Sequence, residues 1–431
     1  MTSTLNRPAE GTRVARVIPR PNEGLWPGLA DPPSNRFKAA IAEKLFRRAL
    51  HGLDVRVRFP DGTSIGAGNR SAPVMTLVRP EAFFARLGSD AKIGFGEAYM
   101  VGDWITGPAT DLADLLTPFA ARISTLIHPS LQRLRHVVER TQPVEEQNTV
   151  DQAQENISRH YDLSNSLFEA FLDSSMMYSS AWFEDGDDLE TAQLRKIDGI
   201  LDLARVGPGD HVLEIGTGWG ALAIRAASER GARVTTLTLS KEQAALAQAR
   251  AEEAGVAHLV DIRLQDYRDA RGTYDAVVSV EMIEAVGEDF WPTYFSALDR
   301  LLKPGGRVGL QSITMPHDRM VATRKAYTWI HKYVFPGGII PSIRAIETNL
   351  RAHTKLSIVE RRDIGPHYAY TLKQWRDRFI AAWPTLKGAG EFDETFRQMW
   401  EFYLAYCEAG FRVGYLGVSQ LGLARNPFAK A

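Results

Sequence analysis

Val212-Leu-Glu-Ile-Gly216-Thr-Gly-Trp-Gly220 is followed directly by the alanine-rich stretch Ala221-Leu-Ala-Ile-Arg-Ala-Ala227. A short apolar run, three closely spaced glycines and an alanine-rich segment are typical of a buried strand that turns tightly into a helix. Such a turn lets a ligand approach the backbone N–H groups at the helix N-terminus. We therefore predict a nucleotide-type ligand site at the end of this strand.

Further strand-like runs follow, and helical segments rich in Ala and Leu lie between them. The runs begin at Val234, Asp275 and Val308. Regular alternation of strands and helices predicts a parallel, doubly wound sheet, so we expect an α/β fold.

The glycine loop alone does not identify the ligand. Read as G-x-G-x-x-A, the segment from Gly216 to Ala221 also fits a dinucleotide fingerprint. That fingerprint expects an acidic residue about 20 positions further on, where this chain has Thr238-Leu-Ser-Lys-Glu-Gln243. By contrast, two features are typical of S-adenosylmethionine (SAM) methyltransferases. They are Glu214 before the glycines and Lys303-Pro-Gly-Gly306 before a late strand.

The chain upstream of Pro143 has a different pattern. Residues 1–35 are proline-rich and predict a mobile arm, and the apolar spacing from Phe37 to Leu50 predicts an amphipathic helix with a basic polar face. Short β-like runs and further helices follow. We predict a smaller α+β, membrane-associated domain over residues 36–144 and a methyltransferase domain over residues 145–431.

Composition limits the class of protein. The 431 residues allow about two or three domains. A single cysteine, Cys407, excludes an intrachain disulfide and a thiolate zinc site, which fits a reducing compartment. We predict no metal site. The 51 Lys+Arg and 52 Asp+Glu nearly cancel, but residues 1–144 hold 19 and 13, and the remainder 32 and 39. The basic N-terminal part fits docking on an anionic surface, with ordinary variation as the alternative.

Seven motifs that occur in order make a resemblance specific. They resemble the cyclopropane-fatty-acyl-phospholipid synthase family, which includes the mycolic acid cyclopropane synthases, from about Asn156 to Gln420. Upstream, Gly94-Phe-Gly-Glu-Ala-Tyr-Met-Val-Gly-Asp-Trp104 resembles the N-terminal domain of its longer, phospholipid-acting members. The motifs are Asn156-Ile-Ser-Arg-His160, Leu172-Asp-Ser-Ser-Met-Met-Tyr178, Gly216-Thr-Gly-Trp-Gly220, Thr238-Leu-Ser-Lys-Glu-Gln243, Asp266-Tyr-Arg-Asp269, Phe335-Pro-Gly-Gly338 and Pro341-Ser342.

The resemblance implies a Rossmann-like class I methyltransferase domain that binds SAM. It places Tyr178 and Ser179 near the methionine moiety, and Gly216, Gly218 and Gly220 at the glycine loop. It places Thr238 and Gln243 near the ribose, and Asp266 and Tyr267 around the adenine. The charge of Glu214 suits the ammonium group of the cofactor.

The implied reaction begins with attack of an alkene on the sulfonium methyl group, which leaves a carbocation on the acyl chain. Aromatic faces can stabilise such a cation. The region supplies Tyr178, Trp182, Phe183, Tyr327, Trp329, Tyr333 and Phe335.

A base must then remove a proton. In the synthases the base is understood to be bicarbonate, held by a Cys, a Glu, a His and a Tyr. Glu284 and Tyr368 match two of these, but Ser180 stands at the Cys position and Gln311 at the His position. We expect the bicarbonate site to be impaired and hypothesise that a protein carboxylate takes the place of the anion, because a base is still required.

The candidate carboxylates are Glu145, Glu146, Glu281 and Glu284. The sequence favours Glu146, because its segment leads straight into the active-site motif that contains His160. The alternative for Glu146 is a solvated carboxylate at a helix N-terminus.

The resemblance implies methylation of an unsaturated, oleoyl-type phospholipid chain. Loss of the bicarbonate ligands favours the branch that releases a 10-methylene product, which a separate flavin-dependent reductase consumes. The alternatives are a cyclopropane fatty acid synthase, a non-catalytic lipid-binding protein on the same fold and a small-molecule methyltransferase. We expect a homo-oligomer with no nucleic acid partner, located in the cytoplasm and peripheral at the inner membrane surface.

Overall fold

The computed structural model describes residues 20–123 and 164–425. Its N-terminal part is a small α+β domain built on a four-stranded sheet of order β2-β1-β3-β4, in which β1 and β3 are parallel and the outer pairs antiparallel. The strands are β1 (Arg56–Arg58), β2 (Ser64–Ile65), β3 (Val74–Leu77) and β4 (Trp104–Thr106), and the helices are α1 (Arg36–Ala49), α2 (Pro80–Ser89), α3 (Ala91–Met100) and α4 (Leu112–Ile123).

The second part is a seven-stranded sheet of order β10-β11-β9-β8-β5-β6-β7 with helices between its strands. The strands are β5 (His211–Ile215), β6 (Arg233–Thr238), β7 (Val260–Leu264), β8 (Tyr274–Val280), β9 (Leu302–Thr314), β10 (Leu356–Asp363) and β11 (Gly417–Arg425). The helices are α5 (Asn165–Phe171), α6 (Leu189–Leu203), α7 (Ala221–Arg230), α8 (Lys241–Glu253), α9 (Trp291–Leu301), α10 (His317–Thr323), α11 (Trp329–Tyr333), α12 (Ile343–His353), α13 (Gly365–Ala389) and α14 (Glu394–Arg412).

The strands that the sequence pattern predicts are present in this sheet. Five strands, β9, β8, β5, β6 and β7, are mutually parallel as predicted. β11, which the sequence pattern did not single out, pairs antiparallel with both β9 and β10. The alternation of strands and helices does not fix the direction of a last strand that returns after two long helices, α13 and α14.

The N-terminal domain shares a hydrophobic core with the methyltransferase part. Tyr99 and Trp104 are fully buried and lie against Phe402 of α14, with ring centroids 5.6 and 6.4 Å away. Arg376 of α13 donates to Asp111, just before α4, over 2.7 Å. Apolar burial and charge pairing therefore both fix the small domain to the helices that follow β10.

Residues 20–35, the described part of the predicted arm, lie against this body. The indole N–H of Trp26 donates to Asp393 over 2.9 Å, and Arg86 donates to the backbone oxygen of Leu29 over 2.7 Å. Within the described ranges, no helix is both long enough and apolar enough to cross a bilayer. The predicted domain boundary between residues 144 and 145 lies outside the described residues.

Candidate active site

A cavity opens at the carboxyl ends of β5, β6, β7 and β8, which is where ligands bind in open α/β sheets. The residues that follow these strands, Gly216, Leu239, Gln265 and Glu281, all line it. Nine of the ten predicted cofactor residues share this lining: Tyr178, Ser179, Glu214, Gly216, Gly218, Thr238, Gln243, Asp266 and Tyr267.

The glycine loop shapes one wall of the cavity. Gly216 and Gly218 have φ of +100° and +51°, in the left-handed region that favours glycine. Gly220, also at positive φ, begins α7 and is not part of the described lining; a Cβ there would meet Cβ of Ala247 in α8 at 3.1 Å. We therefore assign Gly220 to helix packing rather than to direct contact with the ligand.

Glu214 is a buried carboxyl on the cavity wall. Its Oε2 accepts a hydrogen bond from Thr236 Oγ1 over 2.6 Å, and only 3% of the residue is exposed. Burial raises the pKa of Glu214 to about 8, with the Thr236 hydrogen bond acting in the opposite direction. A buried carboxyl without a cation is a ready partner for an ammonium group of a ligand.

The part of the cavity wall that follows β6 and β7 is polar and aromatic. Thr238 Oγ1 donates to Gln243 Oε1 over 2.9 Å, and Asp266 accepts both Nε and Nη2 of Arg268 at 2.9 and 2.6 Å. Burial raises the pKa of Tyr267 to about 12, so its ring remains a neutral hydrogen-bonding and stacking surface. Hydroxyl, amide and carboxylate groups beside an aromatic ring suit a ribose and an adenine.

A buried lysine lies behind Ser179. Lys196 of α6 is fully buried and donates to Ser179 Oγ, while Gln193, one turn earlier, donates to the backbone oxygen of Ser179 over 2.9 Å. Burial lowers the pKa of Lys196 to about 8, and the nearby charge of Glu281 raises it. Sequence reasoning missed both residues, although a lysine and a glutamine three positions apart in an otherwise apolar helix face were a usable signal.

Glu281 accepts hydrogen bonds from three of the four positions that the resemblance assigns to bicarbonate ligands. Its Oε1 accepts from the backbone N–H of Ser180 over 2.9 Å and from Gln311 Nε2 over 2.8 Å, and its Oε2 accepts from the Tyr368 hydroxyl over 3.0 Å. Burial raises the pKa of the Glu281 carboxyl, whereas Lys196 and these hydrogen bonds lower it.

Glu284 lies one turn further on but does not line the described cavity. Its Oε1 accepts from Ser312 Oγ and from the backbone N–H of Ile313 at 2.9 and 2.5 Å, while its buried Oε2 has no partner among the described residues. Burial, and then the charge of Glu281, raise the pKa of Glu284 to about 8. The two neighbouring carboxyls therefore differ in their hydrogen bonds and charges.

Residues 148–421 match the sequence model of the family described as mycolic acid cyclopropane synthetase. The chain belongs to this family. The chain is 50% identical to tuberculostearic acid methyltransferase UfaA1 of Mycobacterium tuberculosis, over 93% of this chain and 95% of that protein. It is also 35% identical to the cyclopropane-fatty-acyl-phospholipid synthase of Escherichia coli, over 83% of this chain and 90% of that one.

Solved structures agree with this assignment. The fold of this chain resembles that of the cyclopropane synthase MmaA2 from Mycobacterium tuberculosis, with a TM-score of 0.58 and 33% identity over 63% of this chain and 98% of that chain. Mycolic acid cyclopropane synthase CmaA1, solved with S-adenosylhomocysteine (SAH) and CTAB, gives a TM-score of 0.58 and 31% identity, over 63% and 97% of the two chains. The fold is that of the class I SAM methyltransferases.

The residues of this chain fit SAM. The buried Glu214 carboxyl lines the cavity together with Gln243, Asp266 and Tyr267. The cavity wall as a whole is largely apolar and includes Met282. The chain is a SAM-dependent methyltransferase that modifies lipid acyl chains, and these side chains would bind and orient the cofactor.

Two of the predicted catalytic residues, Glu146 and His160, lie outside the described residues, as does Glu145, so their roles stay predictions. Among the seven aromatic residues predicted to face the carbocation, Tyr178 alone is part of the described lining. Trp329 instead packs on the N-terminal domain and donates to Met100 Sδ, and the Tyr333 hydroxyl donates to Glu97 over 2.8 Å. Aromatic content alone could not separate the cavity wall from the domain interface.

Proposed function

We propose that this protein methylates a double-bond carbon of an oleoyl-type acyl chain in a membrane phospholipid and releases a 10-methylene product. The observation that carries the proposal is the 50% identity, over 93% of the chain, to a protein described as a tuberculostearic acid methyltransferase. At 93% of the chain, that match includes the N-terminal domain. The family model, by contrast, begins only at residue 148.

The proposed reaction consists of methyl transfer to the alkene followed by loss of a proton. The alkene electron pair forms a bond to the methyl carbon as the sulfur–methyl bond breaks, which releases SAH and leaves a cation on the neighbouring chain carbon. A hydride shift moves the cation to the methylated carbon, and loss of a proton from the new methyl group gives the exocyclic methylene. Without the hydride shift, closure of a ring bond with loss of the same proton gives the isomeric cyclopropane.

The cyclopropane is the second candidate product, because the chain also matches the Escherichia coli cyclopropane synthase over 83% of its length. Mass cannot separate the isomers. Proton NMR of the extracted lipid does, because vinylidene and cyclopropane protons resonate far apart.

The products are tested by incubating the full chain with SAM and vesicles that contain dioleoyl phospholipid. We expect SAH to form together with vinylidene protons in the lipid. Cyclopropane protons instead would favour the second candidate, and no SAH with any unsaturated phospholipid would overturn both in favour of a lipid-binding role. Turnover of soluble acceptors without vesicles would favour a small-molecule methyltransferase.

We also propose that α1 docks on an anionic phospholipid bilayer. Only one apolar row of α1 is buried, at Ala42 and Phe46. A second row, Phe37, Ile41 and Leu45, remains 76%, 45% and 61% exposed.

Charge complementarity supports a bilayer as the occupant of this second row. Basic residues surround it, namely Arg36, Lys38, Lys44, Arg47 and Arg48, and Glu43 is the only acid within the helix. An apolar stripe flanked by cations is the pattern of a helix that lies in the interface of an anionic membrane. Docking of α1 on the membrane would bring the catalytic domain close to the acyl chain of its phospholipid substrate. The protein would remain at the membrane surface.

The proposed product carries an exocyclic double bond, which must be reduced to give a saturated methyl branch. This reduction needs a second enzyme that delivers a hydride and a proton. The resemblance implies a flavin-dependent reductase. Accumulation of the methylene lipid on expression of this chain alone in a host fed oleate is the expected result.

A further inference from the structure

We infer that the carboxylate of Glu281 is the base of the reaction, built into the place where the related synthases are understood to hold bicarbonate. The inference rests on the proposed function and concerns the step that removes a proton from the methyl-derived carbon. Of the four carboxylates that the sequence offered, Glu281 is the one placed by the described structure on the wall of the cofactor cavity.

The first support is the set of donors around this carboxylate. Gln311 Nε2, the Ser180 N–H and the Tyr368 hydroxyl lie 2.8, 2.9 and 3.0 Å from its two oxygens. Three donors that converge on one point are what a bound planar anion such as bicarbonate requires. Here a side chain of the protein itself occupies that point.

The second support is a chain of hydrogen bonds that fixes the orientation of the amide beside Glu281. Arg362, which can only donate, donates to Gln420 Oε1 over 2.9 Å, and Gln420 Nε2 donates to Gln311 Oε1 over 3.0 Å. Gln311 must then turn its N–H group toward Glu281. Gln311 and Gln420 are direct cross-strand partners in the β9–β11 register, so the sheet itself holds this arrangement.

The third support is the contrast between Glu281 and Glu284. Burial raises the pKa of both carboxyls, but at Glu281 three donors and the nearby charge of Lys196 oppose this effect and favour the ionised form. Among the described residues the buried Oε2 of Glu284 has no partner, and burial and then the charge of Glu281 disfavour its anion. Two close carboxyls in unlike environments separate into a base and a proton holder, which assigns the base to Glu281 and the proton to Glu284.

The fourth support is the backbone at Glu281. Its φ of +49° lies in the left-handed region that non-glycine residues avoid. The residue directly follows β8, and its N–H donates to the backbone oxygen of Gln311 over 2.8 Å. A strained conformation held by surrounding structure is a mark of a functional position.

In the proposed step, Glu281 Oε2 takes the proton from the methyl-derived carbon, and the electrons of that C–H bond form the exocyclic double bond. Among the described residues Oε2 accepts from Tyr368 alone, so it retains a lone pair for the proton. The proton leaves to solvent after the product departs. No co-reactant is needed, and dissolved bicarbonate has no role.

The test compares turnover and cofactor binding in buffer depleted of carbon dioxide and bicarbonate. Glu281→Gln keeps the shape of the side chain but cannot accept the proton; we expect SAH formation to fall by about 100-fold or more, the scale of general base catalysis. SAH affinity should change by less than about threefold, below a 1 kcal/mol effect. Glu347→Gln, on an exposed position of α12, is the matched control and should match the wild type.

Glu281→Gly supplies a second variant that suits the backbone, because glycine adopts φ of +49° without strain. It removes the carboxylate and leaves the three donors facing an open space. We expect it to be inactive in depleted buffer and to regain turnover when bicarbonate or formate is added. Wild-type turnover should be the same with and without bicarbonate.

Three results would overturn the inference. The first is wild-type turnover by Glu281→Gln in depleted buffer, and the second is loss of wild-type turnover on bicarbonate removal, which needs no variant to fold. The third is loss of turnover in Glu146→Gln while Glu281→Gln stays active, which would return the role to Glu146. Failure of the proposed function is distinct, since the wild type itself would then form no SAH.

Discussion

Arg376 and Glu408 form a buried ion pair between α13 and α14, with Nη2 and Oε2 2.9 Å apart and their side chains 2% and 0% exposed. The same guanidinium reaches Asp111 of the N-terminal domain at 2.7 Å, and Glu408 also contacts Arg412. The pair therefore joins the two long helices to the small domain. Because both groups are desolvated, loss of either one would leave the other with only its second partner, Asp111 or Arg412, to compensate its charge.

Arg376→Met should destabilise the enzyme by about 3 kcal/mol, the lower end of the cost of breaking a buried pair, because Arg412 still compensates Glu408. Urea unfolding followed by circular dichroism measures this. The control is Arg225→Met, which removes a half-exposed pair with Asp198 and should cost less than about 1 kcal/mol. Equal midpoints for the two variants would contradict the structural role of Arg376.

Gln420→Leu should lower kcat by about tenfold or more, because it frees the Gln311 amide to turn its oxygen toward the carboxylate of Glu281. KM and the affinity for SAH should change little, since Gln420 is not part of the described cavity lining. Steady-state kinetics and calorimetry with SAH separate these quantities.

Ser419→Ala is the matched control for that variant. Ser419 is the neighbouring residue of β11, but its hydroxyl bonds Asp363 over 2.6 Å, away from Gln311. It should keep the wild-type kcat. An equal fall in kcat for both variants would mean that Gln420 acts only through the stability of the strand.

Glu214 should make the ligand-free enzyme less stable as the pH rises from about 4.5 to about 8. Its folded-state pKa of about 8 lies above the unfolded value of 4.5, so the folded state holds the proton longer and the unfolded state gains by ionising. The loss is at most about 1.4 kcal/mol per pH unit.

Glu214→Gln cannot ionise, so its unfolding free energy should fall less over the same pH range than that of the wild type. The difference between the two proteins isolates Glu214 from Glu284, which shifts in the same direction. Urea unfolding at pH 6 and pH 8 measures it, and parallel curves would disprove the burial effect.

Phe37→Ser/Ile41→Ser/Leu45→Ser should weaken partitioning onto anionic vesicles by about tenfold or more, because each apolar side chain gains up to about 1.5–3 kcal/mol on full burial. Vesicle sedimentation at low and high salt measures it, and activity on detergent-dispersed substrate should persist.

The matched triple variant is Val321→Ser/Val359→Ser/Ile380→Ser, which alters three comparably exposed apolar residues of the methyltransferase domain. It should partition like the wild type. Equal partitioning of both triple variants would count against α1 as the docking helix.

The sequence by itself determined the features that depend on residues close together in the chain, namely the central strands and the glycine turn. The apolar runs and the glycines from Gly216 to Gly220 predicted the central strands and the turn at the ligand site, because strand periodicity and positive φ are local properties. The ordered motifs led to the family and its cofactor. They also exposed the substitutions Ser180 and Gln311, from which a carboxylate base was hypothesised.

Only the tertiary structure decided which carboxylate meets the remaining ligand positions. Glu281, Gln311 and Tyr368 are far apart in the chain. The register of β8 and β9 brings Gln311 to Glu281, and the packing of α13 brings Tyr368 to the same carboxylate. Lys196 became visible for the same reason, since burial depends on what packs over a helix face. Contacts between distant segments depend on strand order and register. Local sequence patterns encode neither of these, nor the antiparallel direction of β11.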